Sequence, residues 1–169
     1  KATVAIEKGL KPLAEIIYSQ TERNIEKLAE KFINDKVFSV DEALSGARDI
    51  IAEWISENLD ISNCVRKVYE KEAILLSTVK KGKETEGQKF KDYFEYSEAL
   101  KTVPSHRYLA IKRGLEEGFL KVSIEIEEDN ALVLMERLLL KGFEEPKNQV
   151  KIAIEASLKR LLCPSIEKE

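Results

Sequence analysis

His106 is the only histidine in the chain, and a serine, Ser105, stands beside it. A serine nucleophile needs an imidazole to take its proton and an acid to orient that imidazole. No GxSxG elbow accompanies the pair, and Pro104 precedes it. His106 therefore reads as a residue in a helix start with a local hydrogen bond. The run Lys80-Lys81-Gly82-Lys83-Glu84-Thr85 has the lysines and glycine of a phosphate loop. A P-loop places a glycine five residues before its Gly-Lys pair and a Ser or Thr after it. Those positions are Ser77 and Glu84 here, and a carboxylate at the second would repel a phosphate. Glu125, Glu127, Glu128 and Asp129 are close in sequence, but a two-metal nuclease draws its carboxylates from separate elements. They read as a solvated strand face followed by a helix cap. No catalytic residue, metal ligand or cofactor-binding residue is expected, and the chain is not expected to be an enzyme.

Two basic clusters remain as contact candidates. Lys80, Lys81 and Lys83, with Lys89 and Lys91, stand among Phe90, Tyr93, Phe94 and Tyr96; His106, Arg107, Lys112 and Arg113 form the second group. Lysines beside aromatics can hold phosphates and stack on single-stranded bases. Acidic residues interrupt the first cluster, so its aromatics could equally pin a connection onto the body of the protein. Nucleic-acid contact, if this chain makes one, falls on Lys80, Lys81, Lys83, Arg107, Lys112 and Arg113.

The elements that must carry these residues are mostly helices. Leu10, Leu13, Ala14 and Ile17 recur at helical spacing behind Pro12, a residue suited to a first turn. Ile25, Leu28, Ala29, Phe32 and Ile33 form a second stripe, with Thr21 as its expected cap. Ser39 and Glu42 fit a capping box ahead of Leu44, Ala47, Ile51, Trp54 and Ile55. A fourth helix is expected from a Ser62 cap through Val65, Val68, Leu75 and Val79. Residues 80–94 show no period and read as a long connection, the kind that serves function or mobility. Pro104 and Ser105 open a short helix that Gly114 is expected to close.

Residues 119–127 break the pattern. Leu120, Val122, Ile124 and Ile126 alternate with Lys121, Ser123, Glu125 and Glu127, the period of a half-buried strand. Asp129 is expected to cap a helix whose residues 131–140 are apolar nearly all round, which places it at the centre of a core. A last helix begins near Pro146, lines its inner face with Val150, Ala153, Ile154, Ser157, Leu158 and Leu161, and should stop at Pro164. The fold class is therefore mainly α, a multi-helix scaffold with one short strand or small β element near 119–127. No repeat of fixed period occurs.

Bulk composition agrees with a folded body and narrows its class. At 169 residues, 43% hydrophobic and 35% charged, the chain has the size and polarity of an ordinary domain. Its 28 basic and 31 acidic residues give a net charge of −3. Global charge thus provides no field for nucleic acid, and only local patches could. Cys64 and Cys163 are too few for a disulfide framework and read as two buried thiols in a reducing compartment. No apolar run approaches the ~20 residues of a membrane span. A soluble, cytoplasmic chain is expected. Its only methionine is Met135 and it begins at Lys1, so it is read as cut from a larger protein.

Five stretches resemble the Tex family of bacterial transcription accessory proteins. They are 1–14 (KATVAIEKGLKPLA), 41–53 (DEALSGARDIIAE), 81–98 (KGKETEGQKFKDYFEYSE), 104–114 (PSHRYLAIKRG) and 159–167 (KRLLCPSIE). They follow the family order and cover nearly the whole chain. The resemblance implies that residues 1–169 are the central helical segment of a long cytoplasmic protein. It would lie between an N-terminal helix-turn-helix region and an RNase-H-like domain, with helix-hairpin-helix elements and an OB-fold RNA-binding domain elsewhere in the parent. It also implies association with transcription, and nucleic acid (RNA or DNA) as the partner of the full-length protein. The leading expectation is a structural scaffold. A module docking on the transcription machinery is the alternative, favoured by aromatics at 90–96, and a metal-dependent nuclease is the least favoured reading.

Overall fold

The computed structural model describes residues 2–168, which divide into two compact units. The first comprises the chain up to Val65 and again from Asp129; the second is Arg66–Glu128. In sequence, the second unit is an insertion into the first.

The first unit is helical: α1 (Ala2–Glu7), α2 (Lys11–Ser19), α3 (Ile25–Ala29), α4 (Val40–Glu57), the first half of α5 (Leu59–Glu72), α7 (Glu128–Leu139), α8 (Glu144–Ser157) and α9 (Cys163–Lys168). Pro12 sits in the first turn of α2, where the missing N–H would have had no partner in any case. At α4 the Glu42 N–H donates to Ser39 Oγ at 3.1 Å, while the Glu42 carboxylate accepts from the Phe38 N–H at 3.0 Å. The expected capping box forms, with its return bond shifted back by one residue. From there α4 buries Ala43, Leu44, Ala47, Ile50, Ile51, Ala52 and Ile55. It packs along α8, α1 and α2. Between α4 and α8, Ser157 Oγ donates to the Ala52 carbonyl at 2.8 Å and Arg48 donates to Gln149 at 2.6 Å. Each fully buried Ile or Leu on this seam is worth about 1.5–3 kcal/mol relative to exposure, so apolar packing outweighs these two bonds.

Several local expectations are corrected. The second stripe gives only a short α3, followed by a 3-10 turn at Glu30–Phe32. Thr21 does not cap it; Asn24 precedes the helix, and the Thr21 hydroxyl bonds Ser19 at 3.1 Å. The cap of α5 is Asn58, whose Oδ1 accepts from the Asp60 and Ile61 N–H groups at 3.0 and 3.3 Å; Ser62 Oγ instead donates to the Ser56 carbonyl. Helix α7 starts at Glu128, one residue before Asp129, and is not apolar core throughout. Ala131, Met135 and Leu139 are buried, but Val133 and Leu138 are 48% and 56% exposed. Leu161 is also exposed, and Cys64 is only half-buried. Pro164 does not end the helical path. A π-helical turn at Leu158–Leu162 leads into α9, whose second residue is Pro164. Pro164 thus falls at the junction of the π turn and α9, just after the Cys163 N–H donates to the Leu158 carbonyl, where the hydrogen-bond register changes.

The second unit holds the end of α5, strands β1 (Ile74–Val79), β2 (Glu95–Ala99) and β3 (Leu120–Glu125), and α6 (Ser105–Glu116). The sheet is antiparallel in the order β2-β1-β3. The expected strand near 119–127 is therefore present, and it is one of three. The expected fourth helix ends at Glu72. Beyond it Leu75, Ser77 and Val79 turn inward while Ile74, Leu76 and Thr78 turn away, a period-two pattern of β-branched and apolar residues. Leu75 and Val79 are four apart, a spacing that helix and strand both satisfy, and the pairing partners decided between them. Leu75, Phe90, Ile111 and Leu120 form the core of this unit, with Tyr93, Phe94, Tyr96, Phe119, Val122 and Ile124 packed against it.

Candidate functional site

All six sequence-derived contact residues fall in the second unit, on two elements. Lys80, Lys81 and Lys83 occupy the turn that leaves β1, closed by the Lys83 N–H donating to the Lys80 carbonyl at 3.0 Å. Gly82 takes φ +83° there, a conformation glycine adopts without a Cβ penalty. The Lys80 N–H donates to the Phe119 carbonyl at 2.9 Å, and the Phe119 N–H donates to the Gly114 carbonyl at 3.0 Å. Those two bonds bring the lysine turn to the C-terminal end of α6, where Lys112 and Arg113 are carried.

Helix α6 sorts its basic residues by face. Ile111 and Gly114 are buried against the sheet. At about 100° per residue, Lys112 and Arg113 flank the opposite, solvent face with Leu109, which is 61% exposed. Gly114 does not close the helix as expected; α6 runs on to Glu116. Its role is close approach, since a Cβ there would lie 2.3 Å from Leu120 Cδ1 and 2.7 Å from Leu120 Cγ.

Arg107 belongs to a different environment. It is in the first turn of α6, at the other end from Lys112 and Arg113. Its guanidinium donates to both Glu98 carboxylate oxygens and to the Tyr96 hydroxyl, each at 3.3 Å. The Tyr96 hydroxyl itself donates to Glu98. That bond is the main reason the Tyr96 phenol is held above its ordinary pKa, with burial adding to it. Arg107 thereby ties the start of α6 to β2. Lys83 is also matched, to Glu86 at 3.2 Å, and Lys89 pairs with Glu117 at 2.7 Å. Lys80, Lys81, Lys112 and Arg113 are exposed, and none is in an ion pair among the described residues.

The aromatics beside the lysine cluster face inward. Phe90 is 5% exposed in the core, 6.1 Å from Phe119 between ring centroids; Tyr93 and Tyr96 stack edge-on at 5.4 Å. Ser77 Oγ donates to the Tyr93 carbonyl at 2.7 Å, fixing the connection to β1. With Phe90 buried and Tyr93, Phe94 and Tyr96 half-buried against the core, they pin residues 88–96, and no ring of this segment is fully exposed among the described residues. The partners of Arg107 were not foreseen from the sequence. Glu98 carries no local signal, because its relation to Arg107 exists only once β2 pairs with β1.

His106 is exposed. No group of three or more His, Cys, Asp or Glu side chains among the described residues is placed to hold a metal ion. No described helix is long and apolar enough to cross a membrane.

Comparison with known proteins matches residues 20–158 to the family described as Tex central region-like. The chain is 37% identical over 130 residues to the transcriptional accessory protein Tex of Neisseria gonorrhoeae, covering 77% of this chain and 17% of that protein. It is 39% identical over 131 residues to the protein tex of Bordetella pertussis, covering 76% and 17%. It is 43% identical over 129 residues to the protein YhgF of Escherichia coli K12, covering 75% and 17%. The matched region thus spans about a sixth of each of these relatives.

Proposed function

The chain belongs to the Tex central region-like family, and from that premise we propose that it is a structural scaffold of a transcription accessory protein, with no catalytic step of its own. One observation carries the reading. The helical unit is built from both ends of the sequence, and the α/β unit of residues 66–128 is inserted between them. The helical unit has its own core, closed by α4 against α8, and the chain enters and leaves residues 66–128 from it, which suits a framework that carries a separate body. That unit presents four exposed cations held by no ion pair among the described residues, interspersed with carboxylates: Lys80 and Lys81 at the turn, Lys112 and Arg113 on α6. In the full-length protein, a cytoplasmic one on this reading, these four contact the phosphates of RNA or DNA. Lys83 and Arg107 contribute less because carboxylates already hold them.

The test is titration of the purified chain with single-stranded RNA and with duplex DNA at several salt concentrations. Four phosphate contacts give a slope of log affinity on log salt near −3.6 for duplex, roughly a 100-fold loss between ~50 and ~200 mM. Charge reversal at Lys80, Lys81, Lys112 and Arg113 should abolish the binding and its salt dependence. Absence of binding at low salt refutes the nucleic-acid contact. A second reading, docking on the transcription machinery, is favoured by Phe38 and Leu59, 75% and 73% exposed, and no longer by the aromatics at 90–96. Cleavage of either nucleic acid with magnesium or manganese would overturn the non-catalytic assignment.

A further inference from the structure

Strand β3 pairs with β1 on one side and with nothing on the other among the described residues. Its free edge can be resolved residue by residue. The register sets Val79 opposite Leu120, Ser77 opposite Val122 and Leu75 opposite Ile124. The Lys80 N–H donates to the Phe119 carbonyl, so residues 119, 121, 123 and 125 are those bonded to β1. In an antiparallel ladder the intervening residues turn their backbone groups the other way. Leu120, Val122 and Ile124 therefore offer their N–H and C=O groups to the open side. That side has no proline, and its pairing with β1 runs without a bulge. Proline and bulges commonly protect an edge; the protecting charges it does carry, Lys121 and Glu125, are of opposite sign.

The sequence of this edge is complementary to itself. Reading Leu120-Lys-Val-Ser-Ile-Glu-Ile126 in both directions from Ser123, Val122 meets Ile124, Lys121 meets Glu125 and Leu120 meets Ile126. Every apolar residue falls opposite an apolar residue and each charge opposite its counter-charge. The hydrogen-bonding phase agrees as well. Val122 and Ile124, both turned outward, would form a bonded pair, while Ser123 and the Lys121–Glu125 positions would form the closer, non-bonded pairs. Lys121, Ser123 and Glu125 are all exposed. The other edge lacks this match. On β2, pairing about Ser97 sets Glu95 against Ala99 and Tyr96 against Glu98, with no cation in the strand.

We propose that the partner of the β3 edge is a second copy of this chain, joined antiparallel about a two-fold axis at Ser123. The product is one six-stranded sheet in the order β2-β1-β3-β3-β1-β2. Two ion pairs form, each between Lys121 of one copy and Glu125 of the other. The contact is isologous, so it closes at two copies and does not propagate. It does not depend on the nucleic-acid reading.

Two experiments test it on the whole chain. With Cys64→Ser removing the half-exposed native thiol, Ser123→Cys places two thiols at the axis, where Cα atoms are about 4.5 Å apart, within disulfide reach. Mild oxidation should trap a dimer, and faster than the control Ser97→Cys on β2. Next, Lys121→Glu and Glu125→Lys each turn both ion pairs into repulsions and should weaken self-association at least about tenfold. An equal mixture of the two variants should recover it as a heterodimer, because position 121 of each copy then again faces an opposite charge at position 125 of the other. A merely structural role for these exposed residues does not produce recovery on mixing. Trapping no faster than the β2 control, or a mixture no better than its components by sedimentation equilibrium, overturns the proposal.

Discussion

Gly114→Ala sets two effects of known size against each other. Alanine in place of glycine inside an exposed helix favours folding by about 0.8–1 kcal/mol. In α6 the added Cβ would fall 2.3 Å from Leu120 Cδ1, 2.7 Å from Leu120 Cγ and 3.3 Å from Phe90 Cδ1. Leu120 is fully buried and Phe90 nearly so, so neither can swing into solvent to make room. Overpacking of this kind costs about 1–3 kcal/mol, and more when the backbone must shift. A 2.3 Å approach is far inside any real contact, so the upper part of that range applies, about 2–3 kcal/mol. Sterics should therefore win, with a net loss of about 1–2 kcal/mol confined to the 66–128 unit. The loss can be read by urea denaturation followed by far-ultraviolet circular dichroism. Hydrogen exchange at the β1 amides would localise it, since the single tryptophan, Trp54, reports on the helical unit. Combining Gly114→Ala with Leu120→Ala gives the sharper readout. Leu120→Ala alone should cost about 2–5 kcal/mol, but it empties the space that the new methyl needs. The double variant should be more stable than the sum of the singles by at least about 1 kcal/mol. Additivity, or a Gly114→Ala protein as stable as the parent, would refute the close approach of α6 to β3.

Three further outcomes follow from particular contacts. Gln20→Ala should destabilise the helical unit by about 2–4 kcal/mol, read from Trp54 fluorescence in urea. The buried amide donates to the Leu139 carbonyl at 2.7 Å and accepts from the Lys141 and Gly142 N–H groups at 2.8 and 3.1 Å, and those backbone groups lose their partner. Arg107→Ala should leave the stability of the 66–128 unit nearly unchanged, read by hydrogen exchange at the β1 amides, because its ion pair is open to solvent and screened. The same change should reduce nucleic-acid affinity less than Lys112→Ala does, and an equal or larger reduction would mean that Arg107 contacts phosphate. Tyr96 should ionise at higher pH than an ordinary tyrosine in an absorbance titration, as Tyr18 should through burial alone. A phenol raised in the folded state contributes stability that is complete below about pH 10. That contribution is lost as pH rises through the folded value. Glu98→Gln should move Tyr96, and not Tyr18, back toward the ordinary range.

Local chemistry settled much of the helical unit before any contact was known. Pro12 starts α2, Ser39 and Glu42 start α4, and the stripe from Leu44 to Ile55 is a buried face, because caps and helical periodicity act within a few residues. Strand β3 was legible for the same reason: its alternation is unbroken over six residues, and its period is set by the backbone alone. The basic residues of the candidate surface were visible as types. Their availability was not, since Arg107 and Lys112 look alike in sequence and differ only in having Glu98 and Tyr96 within reach. The tertiary structure also decided that residues 74–79 form a strand, that one side of α7 faces solvent, and that the chain stays helical through Pro164. Each of these turns on a partner distant in sequence or on which neighbour covers a face. Burial and strand pairing are properties of the assembled chain, and a one-dimensional pattern carries them only where a single geometry satisfies it.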